Sequence, residues 1–194
     1  RFDGAGQCTG IPLEAADDKR ADRIRVRSFP VEERCDYIWM FYGGFEDATP
    51  LSIPAEIEDD EWQPFKCEYQ WETNWLNILD NIIDPLHAIF LHAGATTQKK
   101  RATFIGFNIT NDDDRGFCLG KTGVRDDGSI GAVEGEVAFT FPNVISLNIA
   151  DGTKHGLYRV VVMATPVDEG NSCAFYVRAR RCRGLSRLRW RLWW

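Results

Sequence analysis

Six short segments between Arg101 and Arg178 constrain this chain most. Thr103–Ile109, Phe117–Val124, Glu134–Phe141, Val144–Ile149, Leu157–Thr165 and Ala174–Arg180 are rich in β-branched and aromatic residues. Between them stand turn signals: Asn111–Asp114, Asp126-Asp127-Gly128, Pro142-Asn143, Asp151-Gly152 and Asp168-Glu169-Gly170. Connections this tight join neighbours, so the pattern predicts an antiparallel meander. Such a sheet has an apolar face that another element must cover. The candidate is Trp71–His92, where Trp75, Leu76, Ile78, Leu79, Ile82, Ile83, Leu86, Ile89 and Phe90 recur at helical spacing. Thr73 or Asn74 serves as its N-cap. Pro85 interrupts the run, and Asp84-Pro85 also reads as a helix start, so two helical pieces meet there with a kink. The fold class is therefore α+β.

The flanks read differently. Ile24–Phe29 and Tyr37–Tyr42 are expected strands, with Pro30 bending the chain between them. Phe45–Pro64 holds three prolines and the acidic run Glu56–Glu61. It reads as a linker or irregular crossover, and sets domains at 1–48 and 49–194. Gly184–Trp194 reads as a second helix with Leu185, Leu188, Leu192 and Trp193 on one face. The chain opens on Arg1 and stops on Trp194, which reads as two cut ends.

Charge and cysteine usage narrow the function classes. The net charge is −6, which disfavours nonspecific nucleic-acid binding. Seven arginines and no carboxylate lie in Arg178–Trp194, so the acidity is concentrated elsewhere. No apolar run reaches the roughly 18 residues of a membrane-spanning helix. The six cysteines contain no Cys-x-x-Cys, Cys-x-His or Cys-x-x-His. A zinc ribbon or iron–sulfur site built from this chain alone is not expected, and the cysteines read as reduced.

One constellation carries chemistry. Asn81, Asp84 and His87 are three apart and share a helical face. His92 follows five residues after His87, about 140° further round a regular helix. A single metal holds both only where the helix is distorted or ending. Taken alone, the pair fits hydrogen-bonded structural histidines as well as ligands, zinc included.

The surroundings add a resemblance. The run from Asn74-Trp75 to His92 resembles the catalytic helix region of the Rieske-type non-haem iron oxygenases. Its signature is Asn-Trp, then Asn-x-x-Asp-x-x-His-x-x-x-x-His, and Asn81, Asp84, His87 and His92 match every specified position. Arg1-Phe2-Asp3-Gly4 through Ile11-Pro12 resembles the stretch after the family's second cluster-ligand motif. Phe29–Arg34 and Ile38–Phe41 resemble the last strands of its Rieske domain. Pro166–Glu169 and Arg178–Arg181 resemble the end of its catalytic sheet. The likeness is to oxygenase subunits of the phthalate dioxygenase and vanillate demethylase kind.

The resemblance implies the remnant of a β Rieske domain over 1–48. A helix-grip catalytic domain would follow over 49–194, an antiparallel sheet around a kinked helix, truncated before its C-terminal helix. His87 and His92 would bind mononuclear Fe(II). Asp84 would bridge to a cluster-ligating histidine of a neighbouring subunit, a role that competes with capping the turn before Pro85. Asn81 would sit near the iron. The [2Fe–2S] ligands would precede Arg1, and the third iron ligand would follow Trp194. Ile83, Leu86, Phe107, Phe139 and Leu147 are the expected pocket walls. The implied function is O₂ activation that hydroxylates or O-demethylates an aromatic substrate. Electrons would come from an NAD(P)H-dependent reductase or ferredoxin. The implied setting is a cytoplasmic homotrimer without nucleic acid or membrane, the fragment alone being inactive. The rival is a helix-grip module that binds a hydrophobic ligand without redox chemistry.

Overall fold

The structure is a computed structural model that describes residues 1–12, 19–84, 87, 91, 103–124, 127–150 and 157–193. The chain forms two compact units, Arg1–Ile53 and Pro54–Trp194. In the first, β1 (Val31–Arg34) and β2 (Tyr37–Met40) make an antiparallel hairpin. Its two turn residues, Cys35 and Asp36, both take positive φ, the geometry whose twist suits a two-residue hairpin loop. The strand expected at Ile24–Phe29 does not form. Only Arg25 makes a bridge, to Gln7. The segment it faces is a tight loop in which the Asp3 carboxylate accepts from the N–H groups of Ala5 and Gln7, so no extended partner exists. Gly6 sits there at φ +80, and a Cβ would lie 2.2 Å from the Val26 carbonyl oxygen.

The second unit is built on a seven-stranded antiparallel sheet. Its strands are β3 (Trp62–Trp71), β4 (Thr103–Asp113), β5 (Gly116–Val124), β6 (Ile130–Thr140), β7 (Val144–Ala150), β8 (Leu157–Pro166) and β9 (Ser172–Arg181). The spatial order is β3-β9-β8-β7-β6-β5-β4, so β4 to β9 form the expected meander. The linker expectation over Phe45–Pro64 needs correction. Ala55–Glu58 is a short helix, α1, and Trp62 already belongs to β3. β3 also takes Trp71 from the expected helix, pairing without a break from Trp62↔Arg181 to Trp71↔Ser172. Pro64 is tolerated because β3 is an edge strand.

Directly paired residues point to one side of a sheet, so the register defines the faces. One row runs Tyr176, Val162, Ile145, Phe139, Phe117; the next runs Arg178, Val160, Leu147, Val137, Leu119, Ile109. Helix α2 (Trp75–Ile83) lies on this face. Its Ile78 and Leu79, 1 % and 6 % exposed, pack on Val137, Ile145, Val160, Val162, Ala164 and Ala174. Each such burial contributes about 1.5–3 kcal/mol. α1 packs behind, on β3 and β9. There the buried Glu56 carboxylate takes the Arg159 guanidinium at 2.5 Å, and Arg159 Nε donates to Asn148 Oδ1.

The last helix is α3 (Leu185–Trp193). Leu185, Leu188 and Leu192 are exposed, and Trp190 is the buried contact. Trp190 Nε1 donates to the Gln63 carbonyl at 3.1 Å, its ring meets Tyr158, and Arg180 lies over it. The indole outcompetes the leucines because it offers both apolar area and a donor. All six cysteines are free. Among the described residues no helix is long and apolar enough to cross a membrane.

The start of α2 is pinned to the β8–β9 turn. The Ser172 hydroxyl, 1 % exposed, donates to the Thr73 carbonyl at 2.6 Å, and Asn74 Nδ2 donates to the Glu169 carbonyl at 3.0 Å. Ser172→Ala leaves the Thr73 carbonyl without this donor and should cost about 1–3 kcal/mol in urea unfolding. Leu192→Ala, at an exposed position, should stay within about 0.5 kcal/mol.

Candidate functional site

The site grows from the end of α2. The helix begins where Asn74 Oδ1 accepts from the Leu76 N–H at 2.9 Å. It ends at Asp84, whose backbone turns to φ −72, ψ 108, because the residue before a proline is driven out of the helical region. The Asp84 N–H still closes the last turn on the Asp80 carbonyl. Its carboxylate faces forward: Oδ2 accepts from the His87 N–H at 3.1 Å. Asp84 thus ends α2 and accepts from the N–H three residues on, the contact an N-cap makes; Pro85 and Leu86 between them lie outside the described residues.

This joint orients His87. Its Nδ1 meets the Asp84 carbonyl oxygen and lies 4.0 Å from Asp84 Oδ2. A carbonyl only accepts, so Nδ1 carries the proton in the neutral ring, and the lone pair falls on Nε2. Fixing a ring through its distal nitrogen is how proteins prepare a histidine for a metal. The imidazole is 20 % exposed and the Asp84 carboxylate 46 %.

The other expected residues distribute as follows. Asn81 is exposed, one turn before Asp84 on α2. Ile83, Phe139 and Leu147 are drawn together, each packed against the core under α2. Phe107 is 39 % exposed, on the strand beyond β5. His92 and Leu86 lie outside the described residues. Among the described residues no three His, Cys, Asp or Glu side chains converge as a metal cluster. His87 therefore fits one ligand position. Asp168 is a turn residue: the Asn171 side chain, then the Gly170 N–H, hold its carboxyl below its ordinary value. Burial, then the hydrogen bond to Glu68, pushes the Cys173 thiol up to about 11.

Sequence reasoning does not single out Lys121. The ladder from Thr110↔Cys118 to Gly106↔Thr122 is unbroken, so Lys121 shares the face of Leu119, opposite Phe107. Leu119 packs against the core under α2. Lys121 is thus a partly buried cation on the helix side of the sheet. The alternation Phe117, Leu119, Lys121 carries that signal, but only once the register is known. Burial holds the ammonium below its ordinary value of 10.5.

Three comparisons bear on this geometry. Residues 71–189 match the family described as "Vanillate O-demethylase oxygenase C-terminal domain". The chloroplastic pheophorbide a oxygenase of Oryza sativa subsp. japonica is 27% identical over 132 residues, 63% of this chain and 25% of the relative. The oxygenase component of dicamba O-demethylase from Stenotrophomonas maltophilia is 34% identical over 100 residues, 50% of this chain and 29% of the relative. The solved structure of Pseudomonas putida CBB5 NdmA shares the fold, with a TM-score of 0.70 at 19% identity, over 93% of this chain and 51% of that one. The chain thus spans about a quarter of the length of these curated relatives.

Two outcomes follow from the site. Asp84→Ala removes the cap and should lower stability by about 1 kcal/mol, whereas Asp84→Asn, which still accepts from the His87 N–H, should lose only a fraction of that in chemical denaturation. For Lys121 the folded state releases its proton more readily than the unfolded chain. The charged lysine therefore subtracts from stability at pH 7, and the subtraction fades as pH rises toward 10.5. Lys121→Met should raise the unfolding midpoint at pH 7 and lose that advantage near pH 10.5.

Proposed function

This chain belongs to the family of the vanillate O-demethylase oxygenase C-terminal domain, and from that premise we propose that the protein carrying it is the oxygenase component of a Rieske non-haem iron oxygenase. Its reaction is hydroxylation or O-demethylation of an aromatic substrate. The carrying observation is that the matched stretch contains Asn81-x-x-Asp84-x-x-His87-x-x-x-x-His92, with His87 already oriented by Asp84. Relatives named for pheophorbide a and dicamba support an aromatic substrate, while one named for a 4beta-methylsterol shows that relatives also act outside that class. The hydrophobic-module reading gains no separate support.

Mononuclear Fe(II), when bound, supplies O₂ activation, with electrons delivered through a [2Fe–2S] cluster. His87 offers Nε2, and His92 is the second imidazole in the motif. Asp84 holds the His87 backbone and ring through separate atoms, its carboxylate and its carbonyl. That carboxylate is half exposed, which suits a bridge to a histidine of a neighbouring subunit. Ile83, Phe139 and Leu147 keep water from the sheet side. Asn81, Leu86 and Phe107 complete the proposed surroundings. An NAD(P)H-dependent reductase or ferredoxin serves as electron donor, and the protein works as a cytoplasmic homotrimer.

The test uses the full-length protein. His87→Ala and His92→Ala should each lose the mononuclear iron while the cluster signal persists in electron paramagnetic resonance. Unchanged iron in both would sink the ligand assignment. Asp84→Asn should retain iron and lose turnover by at least 10-fold; near-normal turnover would reduce Asp84 to a cap. The surrounding reading frame should encode a Cys-x-His and Cys-x-x-His pair before Arg1.

A further inference from the structure

We infer that Pro85 is a positioning residue: it turns the backbone carbonyl of Asp84 onto the His87 ring, and so sets which ring nitrogen is left to bind a metal. The metal comes from the oxygenase reading above, on which the inference rests. The geometry is that of Asp84 and His87, since Pro85 itself lies outside the described residues.

The effect is confined to one dihedral. At Asp84 φ is −72°, still helical, and its N–H closes the last turn of α2 on the Asp80 carbonyl at 3.2 Å. Only ψ departs, at 108° against about −42° in a helix. A following proline acts on that angle, because its Cδ crowds the N–H and Cβ of the residue before it. A helical ψ would aim the Asp84 carbonyl along the axis, at the N–H four residues on. With ψ turned by about 150° from that value, the carbonyl oxygen meets His87 Nδ1 instead.

The same break redirects a donor. In a continuous helix the His87 N–H would serve the Ile83 carbonyl, and here Asp84 Oδ2 accepts it at 3.1 Å. Asp84 and His87 thus meet each other's displaced groups, a carbonyl on a ring and an N–H on a carboxylate. The carboxylate stands further from the ring, with Oδ2 4.0 Å from Nδ1. Every residue type at position 84 would carry the orienting carbonyl, whereas the residue at 85 decides where it points. A carbonyl only accepts, so it selects the tautomer with the proton on Nδ1, and Nε2 alone keeps the lone pair that ligation needs. An alanine at 85 would lift the restriction on ψ and let the carbonyl return to the helical line. The ring would then lose its acceptor although the Asp84 side chain is unchanged.

The experiment takes the full-length protein freed of mononuclear metal and makes two measurements. Co(II) is titrated in and followed by its d–d absorbance. The His87 tautomer is read by nitrogen NMR of isotope-labelled histidine in the metal-free protein, under conditions where the ring is neutral, with the His87 signal assigned by its loss in His87→Gln. The wild type should hold the proton on Nδ1. Pro85→Ala and Pro85→Gln should each give a mixture of tautomers and weaken Co(II) about 10- to 100-fold, the range for losing the partner that orients a ligating histidine. Their unfolding midpoints should be no lower than the wild type's. Asp84→Asn should keep both the tautomer and the affinity. The inference is wrong if whichever Pro85 variant folds keeps the wild-type tautomer, or if affinity falls only in step with the unfolding midpoint. It is equally wrong if Asp84→Asn loses the tautomer and the Pro85 variants do not. A wild type that binds no Co(II), or a His87→Ala variant that binds it equally well, sinks the ligand assignment of the oxygenase reading, and the tautomer still decides the role of Pro85.

Discussion

The constraint on which the rest depends is the period-two alternation of the sheet, locked in an unbroken register from β3 through β9, β8 and β7 to β6. It lines up Val160, Leu147, Val137 and Leu119 on one side and Val161, Val177 and Ala179 on the other. Two opposed apolar faces require two covers, and the chain supplies α2 for one and α1 for the other. Because the side-chain period is two, a one-residue slip in any strand would exchange the faces. Thus the same regularity that builds the core also decides which side chains accompany α2.

Within that frame, the functional joint is small. A proline forbids continued helix, the aspartate before it closes one turn and opens another, and a histidine takes its orientation from the same residue. The contacts that set the His87 ring relative to Asp84 lie within three residues of each other in the chain. The sheet's contribution is to hold the helix that carries the joint.

This division explains what the sequence made legible. The meander was readable because each strand is flanked by turn residues with their own local chemistry. The joint was readable because Asn81, Asp84 and His87 obey helical spacing, and Asp84-Pro85 is a two-residue signal. β3 was missed although Phe65, Cys67, Tyr69 and Trp71 alternate with polar residues. Pro64 and the acidic run before it argued for a linker, and only pairing with β9 turns the segment into a strand. The docking contact of α3 was not legible, because leucine spacing says nothing of the hydrogen bond that draws Trp190 to Gln63. Lys121 was hidden for a similar reason: its environment is made by Phe107 and Leu119, and only the former's strand pairing reveals it.

The double use of Asn74 has a consequence for which residues that position admits. As an N-cap, aspartate, serine or threonine ordinarily serves about as well as asparagine. Here the amide oxygen receives Leu76 while the amide nitrogen gives its hydrogen to Glu169. An aspartate would keep the first contact and set a charged acceptor against a carbonyl in the second. A hydroxyl sits too near the backbone to span both. The asparagine of the Asn-Trp pair is thereby selected for having two unlike ends, which makes it the staple between a helix and a hairpin far apart in the chain.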